Sequence, residues 1–275
     1  MCILENKLAF AGMVIIAMLV ILALFAPLLA PHDPYVQSLG QSLIGPCRDY
    51  PFGTDEFGRC VLSRIIYGTR ISLVIGLGVT TMSTIIGVVL GMVAGFHNGR
   101  LDEIIMRVVD VFLAFPGLIL ALVVAGLLGP GTLNVVIALT VVGWMGYARV
   151  IRGAVLAEKE KEYIGAVQTF GAGDCYIMLR HLLPNVMTPI VVMASAGVGY
   201  VILAAAGLSF LGLGAEPPAP VWGAMLNYGK AYLQSAPHLT IFPGLAIMIT
   251  VLAFNFLGDG LRDQLDPRMK NLHFR

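Results

Sequence analysis

The sequence predicts an all-α protein that crosses a membrane several times. Of its 275 residues, 58% are hydrophobic and 12% are charged, and the mean hydropathy is +0.87. One soluble core of this size does not hide so much apolar surface. The apolar residues also form long runs, whereas the ten-residue alternation typical of membrane β-barrels is missing from the sequence. Together these observations favour a bundle of transmembrane helices.

Six apolar runs are candidate spans, because about 20 helical residues cross roughly 30 Å of hydrocarbon. They lie near residues 8–29, 71–96, 104–128, 133–151, 186–212 and 240–260. The first run is longer than the apolar part of a typical signal peptide, and the stretch Pro27–Pro31 does not resemble a cleavage site. We therefore expect the first span to be retained.

The basic residues between the runs predict the orientation. With the amino terminus inside, about 12 of the 17 lysines and arginines fall on the inner side, which favours both termini in the cytoplasm. Residues 30–70 and 213–239 then face outward, and their Pro, Gly and aromatic content indicates folded loops. The 158–185 segment lies inside. A formal net charge of +1 argues against a nucleic-acid partner.

Within the second run, small residues recur at every fourth position. This spacing places them on one helical face and predicts close packing against a neighbouring helix. The residues are Ser83, Gly87, Gly91 and Gly95.

Charged residues near the span ends are expected to have local roles. Asp110 follows Arg107 by three positions, so we expect an ion pair at the cytoplasmic interface rather than a proton relay. Arg149 and Arg152 share a face where the fourth span leaves the membrane, and we expect them to reach lipid phosphates.

Motifs for catalysis or cofactor binding are missing from the sequence. The pair Gly229-Lys230 is followed by Ala231 and lacks the glycine of an ATP-binding loop. The spans contain neither a supported nucleophile nor an H-E-x-x-H motif. We predict that the chain is not an enzyme and binds no metal. Cys47 and Cys60 both lie in the outward loop, and whether they form a disulfide is left open.

The 158–185 segment reads as two short helices. The first ends at Gly171, the chain turns through Gly173, and Asp174 is expected to cap the second helix. An apolar stripe on the first helix needs a cover, which either the chain's own helix ends or another protein would supply. The stripe consists of Tyr163, Ala166, Val167 and Phe170.

This segment resembles the EAA loop by which permease subunits of ABC importers dock on their ATPase subunits. The family pattern is Glu-Ala-Ala, three residues, Gly, nine residues and Ile-x-Leu-Pro. Four positions match it, Ala166, Gly171, Leu183 and Pro184. Gly165 stands at the acidic position, and Glu162 lies one helical turn earlier.

Residues 51–73, PFGTDEFGRCVLSRIIYGTRISL, resemble the outward-loop signature of the dipeptide, oligopeptide and nickel permeases. Tyr50 and Cys60 depart from it, since the family tends to have His and Asp there. Further similar stretches are RVVDVFLAFP (107–116), GLSFLGLG (207–214) and FNFLGDGLRDQLDPR (254–268). The signature residues in the loop are Phe52, Gly53, Thr54, Asp55, Gly58, Arg59, Ser63 and Arg64.

The resemblance implies a type I ABC-importer permease with a MetI-like helical bundle. Residues 1–70 would form an amino-terminal helix and outward loop, and residues 71–275 the transmembrane domain. The implied partners are a homologous permease, two ATP-binding subunits that use ATP and Mg, and an external substrate-binding protein. The ATPase-coupling residues would be Glu162, Ala166, Val167, Phe170, Gly171, Gly173, Asp174, Leu183 and Pro184.

Two questions stay open at the level of sequence. The substrate implied by frequency in the family is a di- or oligopeptide, and nickel or a chelated metal is the alternative. A stand-alone secondary transporter is the alternative from another class, although it would be expected to show ionisable residues at mid-membrane. A scaffold role would leave both the outward loop and the 158–185 segment without a task.

Overall fold

The computed structural model describes residues 6–265, and the regular elements there are helices. Five of them are long and apolar enough to cross a membrane, and a bent pair supplies a sixth crossing. In chain order the helices are α1 (Lys7–Leu24), α2 (Ala26–Leu29), α3 (Val61–His97), α4 (Gly99–Leu113), α5 (Gly117–Leu128), α6 (Thr132–Lys159), α7 (Glu162–Thr169), α8 (Asp174–Ile177), α9 (Leu183–Asn185), α10 (Met187–Phe210), α11 (Trp222–Gly229) and α12 (His238–Leu265). The predicted all-α membrane bundle is confirmed.

The two ends of the described chain lie side by side. Helices α1 and α12 pack antiparallel, and a Cβ on Gly12 would lie 2.6 Å from the carbonyl oxygen of Ala253. Where this pair ends, Asn6 Nδ2 donates to Asp263 Oδ2 across 3.3 Å. Both ends are therefore on the same face of the molecule.

The small-residue stripe of α3 packs directly on α6, and the two helices run parallel. Each contact joins a residue of α3 to the residue sixty positions further along the chain. A Cβ on Gly87 would lie 2.4 Å from the Cβ of Tyr147, and one on Gly91 would lie 3.0 Å from the Cβ of Ile151. A Cβ on Gly95 would lie 2.9 Å from the Cβ of Val155. At the start of the stripe the small residue is on α6, where a Cβ on Gly143 would lie 2.6 Å from Ser83 Oγ. Parallel neighbours need a return crossing between them, so α4 and α5 together must traverse the bundle.

That return crossing is broken, which the prediction of one span over residues 104–128 did not foresee. Helices α4 and α5 meet at an angle of 90°. The break falls at Ala114–Pro116, because proline has no N–H to continue the helix and disfavours helical backbone in the residue before it. Helix α5 packs on α6 with Ala121 and Ala125 fully buried, and α4 packs on another part of α6 with Val109 buried against Met145 and Ala148.

Helix α3 begins at Val61, ten residues before the predicted span. Its 37 residues give a length of about 55 Å at 1.5 Å per residue, well beyond the hydrocarbon thickness. The first turns contain two arginines before the predicted span, Arg64 and Arg70, and Arg64 is only 2% exposed. The predicted division of the chain at residue 70 thus falls inside a continuous helix, and as a division into domains it stays a prediction.

The second of the two loops predicted to face outward, residues 213–239, is folded and packs into the bundle. Its helix α11 carries Trp222, which is 1% exposed and donates from Nε1 to the carbonyl oxygen of Ile65 across 3.1 Å. Trp222 shares one apolar core with Leu19, Leu73 and Leu239. This core ties α1, α3 and α12 together at the face that carries the loops.

Candidate functional site

The 158–185 segment is fixed to the ends of α3 and α6 by its buried underside. Ile164, Ile177 and Leu182 are fully buried. They pack in one cluster with Phe96 of α3 and Val155 of α6. Any force on the segment therefore reaches α3 and α6, the two helices that pack in parallel.

The turn between α7 and α8 depends on Gly171. Helix α7 ends at Thr169 with Phe170 at the cap position, and the Gly171 N–H donates to the Gln168 carbonyl oxygen across 2.9 Å. Gly171 has φ +79°, a left-handed backbone that only glycine adopts without strain. The space around its Cα is open. Backbone conformation, rather than crowding, is thus what requires glycine here.

Asp174 does not cap the second helix, so that prediction is wrong. Gly173 occupies the cap position, and α8 begins without a side-chain cap. The carboxylate of Asp174 instead lies 3.4 Å from His97 Nε2, at the end of α3. At this distance the Asp174 carboxylate and the His97 imidazole form an ion pair when His97 is protonated.

The outer surface of the segment is apolar and exposed. Phe170 is 91% exposed, and Tyr163 and Ala166 are exposed as well. Val167 alone of the predicted stripe packs into the cluster beneath. Tyr176 and Leu179 extend the exposed surface. The chain's own helix ends therefore leave most of the stripe uncovered.

A polar brace that sequence reasoning missed holds the segment at a fixed angle to α6. The Tyr163 hydroxyl donates to Glu158 Oε1 across 2.7 Å, and Asn185 Nδ2 donates to the Tyr163 hydroxyl across 2.9 Å. Lys161 Nζ lies 2.8 Å from Glu158 Oε2. Desolvation of the hydroxyl and its bond to Glu158 raise the pKa of Tyr163 to about 12. The only feature of the sequence that could have indicated this brace is the i, i+3 spacing of Glu158 and Lys161, which favours an ion pair.

The remaining predicted docking residues frame this brace. Glu162 is exposed at the first position of α7, where an acidic group suits the helix dipole. Leu183 is half-buried against the underside, and Pro184 is exposed in the first turn of α9. A π-helical turn, Met178–Leu182, links α8 to α9.

On the opposite face, Asp55 is the centre of a buried charge cluster. It accepts from the backbone N–H of Arg59 across 2.9 Å and from Arg59 Nε across 2.6 Å. Arg64 Nε lies 3.5 Å away. All three residues are at most 6% exposed, so one carboxylate serves two buried guanidinium groups.

The same cluster closes the first outward loop onto the second. Arg64 Nη1 donates to the carbonyl oxygens of Pro34 and Pro218, across 3.0 and 3.2 Å. Neighbouring Glu56 is largely buried, and its loss of solvent, opposed by a backbone hydrogen bond and aided by the charge of Asp55, raises the pKa of its carboxyl above the usual 4.5.

The other signature residues fasten the loop to α12 and α3. Phe52 stacks on Phe242 with ring centroids 4.0 Å apart, and the Thr54 carbonyl oxygen lies 3.2 Å from His238 Nε2. Ser63 Oγ accepts from the His32 N–H across 3.0 Å. Gly53 and Gly58 have φ of +77° and +73°, so both turns favour glycine. Cys47 is exposed and Cys60 is buried, and both are free thiols.

The ion pairs of α4 differ from those predicted. Asp110 pairs with Arg149, while Arg107 lies 3.7 Å from Glu103. Arg152 Nη2 donates to Asp102 Oδ2 across 2.6 Å. The two α6 arginines therefore hold α4 instead of standing free for lipid phosphates, because the bend brings the acidic side of α4 across them.

Two family models match the chain. Residues 87–271 match the binding-protein-dependent transport system inner membrane component, and residues 3–46 match the N-terminal transmembrane domain of oligopeptide transport permease C. The first match covers the second half of α3 and the helices from α4 to α12, including the 158–185 segment, and the second covers α1 and α2.

Curated relatives cover nearly the whole chain. The di/tripeptide transport system permease protein DppC of Pseudomonas aeruginosa is 44% identical over 97% of this chain and 90% of its own length. The dipeptide transport system permease protein DppC of Alkalihalophilus pseudofirmus is 43% identical over 97% and 88%. The glutathione transport system permease protein GsiD of Pectobacterium atrosepticum is 44% identical over 98% and 89%.

A solved structure shares the fold. The inward-facing MetNI methionine ABC transporter aligns with a TM-score of 0.61, covering 74% of this chain and 97% of the other at 19% sequence identity. The predicted MetI-like bundle is confirmed by this likeness.

Proposed function

The chain belongs to the family of binding-protein-dependent transport system inner membrane components, as an ABC-importer permease of the dipeptide and oligopeptide subgroup, and on that premise we propose that it admits small peptides to the cell. It is a multi-pass protein of the inner membrane and not an enzyme. The permease moves substrate, and the energy comes from separate subunits.

The observation that carries this proposal is the exposed apolar surface of the 158–185 segment on a rigid, buried base. Phe170 projects where an ATPase subunit would bind, and Gly171 sets the turn behind it. When two ATPases close on ATP, the segment transmits the motion through Ile164 and Ile177 to α3 and α6. Such rigid-body motion suits a cycle between inward-open and outward-open states.

The proposed complex contains this chain, a homologous permease, two ATP-binding subunits and an external substrate-binding protein. ATP and Mg would be bound by the ATPase subunits, and this chain would bind no cofactor. The 158–185 segment would lie in the cytoplasm together with both termini. The contact between Asn6 and Asp263, which places the described ends on one face, supports both termini lying on the same side of the membrane.

We propose a di- or tripeptide as the substrate. Relatives of similar length and identity are named for dipeptides, di/tripeptides and glutathione, which is itself a tripeptide. Nickel was the alternative expected from the outward-loop signature, and those names favour peptides over it.

The test is co-purification in mild detergent with the products of neighbouring genes. The expected result is a complex with two copies of an ATPase, whose hydrolysis rate rises with a binding protein loaded with dipeptide but not with one loaded with nickel. Stimulation by the nickel-loaded protein alone would overturn the peptide assignment. If none of the ATPases encoded by neighbouring genes binds the chain, and if uptake proceeds without ATP, the protein is a secondary transporter.

A further inference from the structure

A cavity of about 100 Å³ lies near the middle of the bundle. Helices α3, α6 and α10 enclose it at about half their length, and the first turn of α5 forms one side. The residues that matter for its chemistry are Thr80, Ser83, Gly117, Tyr147, Gly197 and Tyr200.

Two buried hydroxyls on its wall have no hydrogen-bond partner within residues 6–265. They are Thr80 Oγ1 and Ser83 Oγ, on residues that are 4% and 2% exposed. A buried hydroxyl without a partner is unfavourable, because it has lost the water that it bonds in the unfolded chain. The Tyr147 hydroxyl donates to the Met193 carbonyl oxygen across 3.3 Å, which leaves its own oxygen available as an acceptor.

The helix break adds polar backbone at the same depth. Helix α5 begins at Gly117 without a side-chain cap. The first N–H groups of a helix have no partner inside it. Irregular backbone within a membrane is found where protein covers it or where it borders water. Pro116 and Phe115 are exposed in this chain, so Gly117 on the cavity wall is where water would reach the break.

We propose that this cavity is a binding site for a cluster of water molecules. One water needs roughly 10–15 Å³ of such space, so about 100 Å³ holds several. A bound water makes two to four hydrogen bonds, and Thr80, Ser83 and Tyr147 supply them. No charged side chain lines the site. An ion there would have no partner of opposite charge, which excludes a charged ligand.

The site lies on the boundary between the α3–α6 pair and α10. Gly197 of α10 faces Tyr147 so closely that a Cβ on it would lie 2.4 Å from the hydroxyl oxygen. Water at this boundary exchanges one hydrogen-bond partner for another as helices shift, whereas a direct bond must break. The water cluster thus gives α10 a lower resistance to sliding than a dry contact of the same area.

The test is X-ray hydroxyl-radical labelling of the full-length chain, which modifies buried side chains that touch bound water. The comparison residue is Trp222, which is 1% exposed, packed in an apolar core, and more reactive than tyrosine. We expect Tyr147 to be labelled severalfold faster than Trp222. The double variant Thr80→Val/Ser83→Ala should lower the Tyr147 rate severalfold, with unchanged helical circular dichroism.

Thr69→Val is the matched control, since Thr69 is equally buried on α3 and its hydroxyl already donates to Ile65. It should leave Tyr147 labelling unchanged. The unfolding midpoint of Thr80→Val is a second readout, because it shifts in opposite directions for a water-filled and a dry cavity. It lowers the unfolding midpoint if the hydroxyl binds water and raises it if the cavity is dry. A raised midpoint, or Tyr147 labelled no faster than Trp222, overturns the proposal.

Discussion

Gly91 of α3 and Ala148 of α6 approach so closely that a Cβ on Gly91 would lie 2.6 Å from the Ala148 carbonyl oxygen. A backbone atom cannot move aside as a flexible side chain does, so the two helices would have to separate. The parallel packing of α3 on α6, on which the position of the 158–185 segment depends, is therefore limited by this one contact and its neighbours.

Gly91→Ala should lower the stability of the chain by about 1–3 kcal/mol, the usual cost of overpacking a close contact. Gly78→Ala on the same helix is the control, because its Cβ would meet nothing within 4 Å. Thermal unfolding in detergent measures both. Equal midpoints for the two variants would contradict the close packing.

Asp55→Asn should be strongly destabilising. Removing the carboxylate leaves Arg59 and Arg64 buried without their shared counter-charge, which costs about 3–5 kcal/mol. Asp49→Asn in the same loop, where the side chain is exposed, should change little. Unfolding midpoints and protease sensitivity of the loop are the measurements, and an Asp55 variant as stable as the Asp49 variant would refute the cluster's role.

Phe170→Asp should leave the isolated chain as stable as before, within about 0.5 kcal/mol, because the side chain is 91% exposed. Binding of the ATPase subunits should fall at least tenfold, since the apolar surface is what we propose they cover. Gln168→Ala, also exposed on α7, is the control. Retained ATPase binding by Phe170→Asp would remove this surface from the interface.

Gly171→Trp should insert normally and abolish ATP-dependent uptake. At φ +79° any side chain costs about 1–2 kcal/mol of backbone strain, and the turn would rearrange. Asn tolerates this backbone better than other residues, so Gly171→Asn should keep more uptake than Gly171→Val. Uptake in membrane vesicles ranks the three variants. If Val and Asn behave alike, backbone strain is not the reason for glycine.

Glu56→Gln should stabilise the protein at neutral pH but not in acid. Since the folded pKa is raised above 4.5, the folded state binds more protons, and stability falls as pH rises from 4.5 through the folded pKa. The variant lacks this loss, so its advantage is absent below pH 4.5 and complete above the folded pKa. Unfolding midpoints of both proteins between pH 4 and 8 test the sign. An advantage that is largest at pH 4 would contradict it.

Sequence patterns predicted the spans well because crossing a membrane depends on the average apolarity of a run. They failed where a partner far along the chain satisfies a polar group. The predicted span begins directly after Arg70, yet the helix extends back past Arg64, whose hydrogen bond is accepted by Pro218, 154 residues away. The start of α3 was therefore placed ten residues too late.

The same reason explains the errors in pairing. The i, i+3 spacing favoured Arg107 for Asp110, but the 90° bend at Pro116 brings Arg149 to it instead. Asp174 had the residue type of a helix cap and was taken by His97. By contrast, the glycine turn at Gly171 followed from local backbone chemistry alone, which a sequence does record.

The outward loop has a consequence for biosynthesis. Thr54 meets His238, which is made 184 residues later, and Arg64 meets Pro218. The loop already contains Asp55 and Arg59, but it can close fully only after four further crossings have been inserted. A chain whose synthesis stops before Pro218 and His238 lacks these two partners, so its first loop cannot close. The open loop would then be a substrate for proteases.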